Sequence, residues 1–296
     1  MKCGTVSIMG RPNVGKSTLL NALLNVKLAI TTDKAGTTRN IIQGIYQDQD
    51  SQIIFIDTPG IHKPLNKLET ILNSKSYQNI ENSDVILLLI DATTGFGKGD
   101  KFILDKIKEN KDAKVFLILN KVDKVNNEKL LKIITSTKDL YDFSEIIPIS
   151  ALKHESLDDL IKTLKKYLPL NEPIFKNDEL TNLPVKFIMA EFVREKLMQL
   201  TEKEIPHTVT CYTEEYKEED NLVKLSVLIV VDRANLKKII IGKQGKMLKE
   251  VGTLARHDME EFLGKKVYLN LYVKTIENWR DKEKYLIELG LDDKNA

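Results

Sequence analysis

The sequence predicts two domains, an α/β domain built on a mostly parallel sheet and then an α+β domain. Three observations carry that prediction. Strand-like and helix-like segments alternate up to about residue 170, a proline-marked polar stretch follows, and beyond it the order of elements changes. In the first part the strand segments are 5–9, 41–47, 53–56, 85–90, 115–119 and 146–149. Most are unbroken β-branched or leucine-rich runs, the pattern of strands covered on both faces. Helices are expected between them at 16–25, 68–82, 99–110, 128–140 and 156–167, and strand–helix alternation of this kind builds a parallel sheet. Pro169, Pro173 and Pro184, with polar residues between them, mark the stretch 168–184, within which 171–184 is the linker expected to join domains at 1–170 and 185–296. The second part reads as a helix at 185–200 and two long alternating stretches at 208–216 and 223–231. A short helix at 234–241, a Gly-x-x-Gly turn, a helix at 247–263, a strand at 267–273 and a charged terminal helix complete it.

Composition narrows the function. The 296 residues suffice for two ordinary domains. Charged residues make up 30% but nearly balance, at a net +2. Bulk charge is therefore excluded as a source of nucleic-acid affinity, and any basic surface must be local. Cys3 and Cys211 have neither metal nor disulfide spacing, which suits a reducing cytosol. No N-terminal apolar stretch resembles a signal peptide. Apolar runs such as 85–90 fall far short of the roughly 20 residues of a membrane span, so a soluble protein is expected. His154 and His257 lack a ligand-spaced partner, and no transition-metal site is expected.

Gly10, Arg11, Pro12, Asn13, Val14, Gly15, Lys16 and Ser17, continued by Thr18, spell the P-loop pattern. They stand where it must stand, between a strand and a helix. Glycines let the backbone wrap phosphates with its amides pointing inward, and the helix adds its positive end. Lys16 can reach the β- and γ-phosphates, and Ser17 can ligate Mg2+. Asp57, Thr58, Pro59 and Gly60 follow the 53–56 strand. There the carboxylate can hold Mg2+ and the Gly60 amide can sense the γ-phosphate. Asn120, Lys121, Val122 and Asp123 follow the 115–119 strand. Asp123 can accept from the guanine N1–H and 2-amino groups, a donor pair that adenine lacks, so this element selects guanine. Ser150, Ala151 and Leu152 can present a backbone amide to the base oxygen. Four motifs in this order predict GTP and GDP binding, with hydrolysis of GTP to GDP and phosphate. They count against an ATP-using P-loop kinase.

Between the first two motifs lies Gly36-Thr37-Thr38-Arg39-Asn40. A threonine here can complete the Mg2+ shell when GTP is bound and release it after hydrolysis. Thr37 and Thr38 are both eligible, and Thr38 is favoured. Lys16, Thr38 and Gly60 are thus the residues expected to act in hydrolysis. Ile61 occupies the place where Ras-like enzymes carry a water-orienting glutamine. It has no polar group, so turnover is expected to be slow unless another part supplies the missing orientation or charge.

These residues closely resemble the Era family of bacterial GTPases, nearly end to end. The first half contributes Gly-Arg-Pro-Asn-Val-Gly-Lys-Ser-Thr-Leu-Leu-Asn, Gly-Thr-Thr-Arg and Asp-Thr-Pro-Gly-Ile-His-Lys-Pro, motifs shared with several related GTPases. The family-specific part lies in the second half: Arg194-Glu195-Lys196, Glu204-Ile205-Pro206-His207, the run from Ile239 to Lys246, and Asn278-Trp279-Arg280. The resemblance implies a P-loop GTPase domain followed by a type II KH domain. It further implies a monomer that binds the 3′ end of 16S ribosomal RNA, assists maturation of the 30S subunit, and lives in the cytoplasm with a peripheral fraction on the inner membrane. GTPases of this branch with asparagine at the Asn13 position resemble one another in using K+. Asn13 therefore reads either as a K+ ligand or as a residue that only shapes the turn. Cys3 and the tail at 292–296 depart from the family pattern and touch no motif.

The second domain also has its own logic. Gly242-Lys243-Gln244-Gly245 between two helices matches a KH turn, which clamps about four nucleotides through backbone contact. Alone it would read rather as a plain helix–helix turn. Around it stand Arg233, Lys237, Lys238, Lys243, Lys246 and Lys249, with no acidic residue from 233 to 249. Ile241 sits beside them, able to floor a groove for bases. The RNA-contacting set is therefore Arg233, Lys237, Lys238, Ile241, Gly242, Lys243, Gln244, Gly245, Lys246 and Lys249. His207 reads as structural, and Trp279 as packed rather than stacked on RNA. Two rival functions remain. One is a GTP-gated adaptor whose basic run meets acidic lipid heads. The other is a tRNA-modifying GTPase, for which no catalytic cysteine or cofactor region is present.

Overall fold

In the computed structural model, residues 1–291 are described apart from 35, 62–63, 110–111, 177–178, 203 and 290, and for 79–81 the backbone alone. The expected helix end at Asn110, the His62–Lys63 part of the second motif and the tail at 292–296 lie outside the described residues. The chain divides into two units. The first comprises Met1–Ala29, Thr38–Pro64 and Leu72–Asn182; the second comprises Ile30–Thr37, Leu65–Ile71 and Leu183–Ala296.

The first part runs β1 (Lys2–Gly10), α1 (Lys16–Leu24), β2 (Ile42–Gln47), β3 (Ser51–Asp57), α2 (Lys67–Glu81), β4 (Val85–Asp91), α3 (Lys98–Ile107), β5 (Lys114–Asn120), α4 (Asn127–Thr137), β6 (Glu145–Pro148) and α5 (Leu157–Tyr167). Its sheet has the order β2-β3-β1-β4-β5-β6. β2 and β3 form an antiparallel hairpin, and the other pairings are parallel. Every residue of β3 and β4 is buried, as their unbroken apolar runs require. In α5, Leu157, Leu160, Ile161 and Leu164 form one buried stripe, each side chain worth about 1.5–3 kcal/mol of burial. Asp158 and Asp159 in its first turn and Lys165 and Lys166 in its last match the helix dipole. β1 pairs with both β3 and β4, so the order in which strands are added to the sheet reverses beside it. Crevices at such a switch point, beyond the carboxyl ends of the strands, hold ligands.

The stretch that reads as a linker is anchored to the first unit. Gln52 accepts the Ile174 and Phe175 amides through Oε1, at 2.7 and 3.0 Å, and donates to the Phe175 carbonyl at 2.8 Å. Thr181 donates its hydroxyl to the Gln43 carbonyl at 2.6 Å.

The second part contains α6 (Val185–Leu200), α7 (Ile205–Thr208), β7 (Thr210–Glu218), β8 (Leu222–Val231), α8 (Ala234–Ile241), α9 (Lys246–Leu263), β9 (Lys266–Thr275) and α10 (Glu283–Glu288). β8 is central, antiparallel to β7 and parallel to β9. The α8–α9 pair forms the crossover between the parallel strands. The expected strand start at 208 is displaced, because Pro206 stands in the first turn of a four-residue helix. There its fixed φ and missing N–H cost nothing. Within α6, Arg194 is 1% exposed and pairs with Glu191 through two hydrogen bonds, of 2.7 and 2.6 Å. Lys196 bridges Glu195 and Asp258 at 3.0 and 2.5 Å. Buried charges need such partners. Trp279 is wholly buried and donates its indole N–H to the Thr208 carbonyl at 2.9 Å, so its ring is packed in the protein. Cys3 and Cys211 are buried and form no disulfide.

Candidate functional site

All four nucleotide motifs lie at the carboxyl edge of the first sheet. The P-loop joins β1 to α1 through Gly15, whose φ is +101° and whose site would set a Cβ 2.3 Å from Asn120 Nδ2. A side chain there would clash as well as strain the backbone. Lys16 is 6% exposed, and its ammonium donates to the Gly10 and Arg11 carbonyls at 3.1 and 3.0 Å. Burial lowers its pKa to about 8, and Asp57 partly offsets this.

Asp57, at the end of β3, is fully buried. Its Oδ2 accepts from the Ser17 hydroxyl at 2.6 Å, and that hydroxyl is 2.9 Å from the Thr38 hydroxyl. The Thr37 hydroxyl instead donates to the Lys34 carbonyl at 2.7 Å. Among the described residues, Asp57 Oδ1 is one of two buried side-chain polar atoms with no hydrogen-bond partner. An orphaned carboxylate oxygen beside two hydroxyls is the hard-oxygen donor set that Mg2+ prefers, so these residues fit that ion.

Asn120 ties three loops together. Its Nδ2 donates to the Val14 carbonyl at 2.8 Å, and its Oδ1 accepts the Lys121 and Ala151 amides at 2.8 and 3.0 Å. Lys121 reaches the Asn13 carbonyl at 2.7 Å and Asp91 at 2.6 Å. Burial acts to raise the Asp91 carboxyl, but hydrogen bonds from Lys121 and Thr93 hold it below its ordinary value. Asp123 accepts from the Ser150 hydroxyl at 2.6 Å, which orients its carboxylate while Leu152 stays 65% exposed nearby in sequence.

Some residues of the motifs turn away from this edge. Arg11 pairs with Asp100 at 2.8 Å and donates to Thr94 and the Gly95 carbonyl. It therefore serves the P-loop through its backbone. Thr58 is buried with its hydroxyl on the Ile8 carbonyl at 2.9 Å. Pro59 is buried behind it, and its carbonyl accepts from Ser76 at 3.2 Å. Ile61 is 3% exposed within the apolar cluster that contains Met9 and Leu88. Asp91 and Asp100 were not among the residues expected here. An aspartate ending a buried parallel strand was the available signal for Asp91.

Burial has a pH consequence. It pushes the Asp57 carboxyl up to about 6, with Lys16 and Ser17 opposing. Below that pH the carboxyl is protonated and cannot hold a cation; above it the carboxylate is charged. Mg2+-supported GTP affinity is therefore expected to fall about tenfold per pH unit below 6. It should fall again above about 8, where the empty site's Lys16 loses its proton. Calorimetry in buffers of different ionisation enthalpy checks this. It should record proton release on binding near pH 6, abolished by Asp57→Asn, and proton uptake near pH 8.

In the second unit, α8 ends at Ile241 and the turn Gly242–Gly245 leads into α9. Gly242, Gln244 and Gly245 have φ of +73°, +53° and +76°. A Cβ at Gly242 would lie 2.8 Å from Met247 Cβ. The Gly245 amide donates to the Gly242 carbonyl at 3.2 Å, closing a tight turn whose glycines let the backbone come close to a ligand. Arg233, Lys238, Lys243, Gln244, Lys246 and Lys249 are exposed, and Lys237 and Ile241 are half-buried. A groove of about 450 Å³ runs from Gly245 between α9 and β9, flanked by Lys249 and Arg256 on one side and by Leu269 and Leu271 on the other. Arg256 and the β9 wall were missing from the expected set. They come together only through the parallel β8–β9 pairing.

A family model described as 50S ribosome-binding GTPase matches residues 5–121, and one described as KH domain matches residues 204–280. Among solved structures the chain is similar to a variant of Era from Aquifex aeolicus bound to GDP and AlF4−. The two are 44% identical with a TM-score of 0.95, over 98% of this chain and 99% of that one. The same figures relate it to Era in complex with MgGDPNP and nucleotides 1506–1542 of 16S ribosomal RNA.

Proposed function

The chain belongs to the Era family of GTPases, and we propose that it is a GTP-hydrolysing switch whose KH domain holds the 3′ end of 16S ribosomal RNA during maturation of the 30S subunit. The observation that carries this reading is one chain holding both an assembled guanine-nucleotide edge and a Gly-x-x-Gly groove ringed by exposed lysines. In the empty site Lys16 is held by two P-loop carbonyls; phosphate oxygens would replace them. Ser17, Asp57 and Thr38 would hold Mg2+, which when bound neutralises charge on the β- and γ-phosphates. The Gly60 amide meets the γ-phosphate, and Asp123 reads the base. The RNA groove binds its strand through backbone amides and the charge of Lys243, Lys246 and Lys249. Filter binding tests the reading. A labelled 16S 3′-end fragment should be retained far better than a length-matched unrelated RNA at equal salt. Equal retention would contradict it.

Hydrolysis needs a replacement for the missing glutamine at Ile61. Asn13 is exposed at the P-loop tip with φ of +65°. Its side-chain oxygen and neighbouring loop carbonyls can hold K+ against the phosphates, offsetting charge that develops in the transition state. Single-turnover GTP cleavage is expected to run at least about tenfold faster in KCl than in NaCl at equal ionic strength, an effect of 1.4 kcal/mol. Asn13→Ala should remove most of the difference. Equal rates in the two salts would exclude the K+ role.

A further inference from the structure

The outer face of the second unit's sheet carries a surface that the nucleotide site does not use and that meets the groove at Tyr268. On β8, Val223, Leu225, Val227 and Ile229 point into the core, so the alternate residues point outward. One outward rung runs Tyr212–Leu228–Tyr272 across all three strands. Tyr268 lies on the same face, four residues along β9. Tyr212, Tyr268 and Tyr272 are 43%, 57% and 53% exposed. Lys266 and Lys274 flank the two β9 tyrosines and are exposed too. β9 has no acidic residue, whereas Glu214 and Glu215 lie on β7, the strand farthest from the groove.

β9 thus has two roles fixed by its alternation. Val267, Leu269 and Leu271 wall the groove and Tyr268 lies at its rim, while Tyr272 stands outside it on the outward face. A strand leaving the groove over the β9 edge arrives directly on the aromatic face. We propose that unpaired bases of the same RNA strand, flanking those held in the groove, stack on Tyr268 and Tyr272, with Lys266 and Lys274 meeting the phosphates. The proposal rests on the RNA reading of the groove given above. Its chemistry favours RNA: flat aromatic rings at spaced intervals among lysines suit stacked bases and a charged backbone. The face lacks the cluster of exposed aliphatic side chains that a protein-docking core requires.

Two RNA probes separate the outcomes by fluorescence anisotropy at equal salt. One spans about four nucleotides, the length a KH turn clamps; the other extends the same sequence about threefold. The variant Tyr272→Ala, which removes a ring outside the groove, is expected to bind the short probe like wild type. It should bind the long probe about five- to a hundredfold more weakly. Tyr272→Phe keeps the ring and should bind both probes like wild type, which also controls for folding. An Ala variant that holds the long probe as tightly as wild type would overturn the proposal, as would a Phe variant that loses as much as the Ala variant. Wild type binding neither probe would instead overturn the reading of the groove itself.

Discussion

Asp123→Asn is expected to weaken GTP binding about a hundred- to ten-thousand-fold and to move base preference to xanthosine triphosphate. The carboxylate accepts from two donors on guanine, and each hydrogen bond to a charged group contributes about 1.5–3 kcal/mol. In the variant a donor amide would face those donors. The fold should not suffer, because the Ser150 hydroxyl that reaches Asp123 Oδ1 at 2.6 Å can donate equally to an asparagine oxygen. The freed amide then matches the 2-oxo group of xanthine. Direct titration with both nucleotides checks this, and unchanged GTP affinity would remove Asp123 from the base site.

Lys243→Asp combined with Gln244→Asp is expected to weaken RNA binding by about two orders of magnitude or more at physiological salt, through loss of one phosphate contact and repulsion by two new charges. Both residues are exposed. Gln244 sits at φ of +53°, a conformation that aspartate tolerates, so the turn should persist. GTP affinity should be unchanged. The salt slope of residual RNA binding should drop by about 1. A double variant that retains the RNA at equal affinity would place the binding surface elsewhere.

These effects also show where the sequence was readable. Strand and helix identities in the first unit were legible because fully buried parallel strands leave unbroken apolar runs, as in β4, and because α5 repeats its leucines at helical spacing. α7 was not legible, since four residues are too few for any periodicity. The P-loop, Asp57, Asn120 and Asp123 were legible because each lies in a contiguous motif. The partnerships of Arg11 with Asp100, and of Lys121 with Asp91, join residues far apart in sequence, so no local pattern marks them. The groove behaves likewise. Its lysines and glycines are a local run, whereas its far wall comes from β9 by way of a crossover. Sequence left Thr37 and Thr38 both eligible, with Thr38 favoured. Their hydroxyls part company because one turns back to Lys34 while the other meets Ser17.

Coupling between a guanine nucleotide and an RNA end within one chain is open to measurement by a binding cycle. The affinity for a 16S 3′-end fragment is measured with a non-hydrolysable GTP analogue, with GDP and with no nucleotide, and the analogue's affinity is measured with and without the RNA. RNA binding is expected to change between nucleotide states, and RNA to change the analogue's affinity by the same factor, since linkage is reciprocal. RNA affinity that is equal in all three states, or absent from all of them, would contradict that coupling.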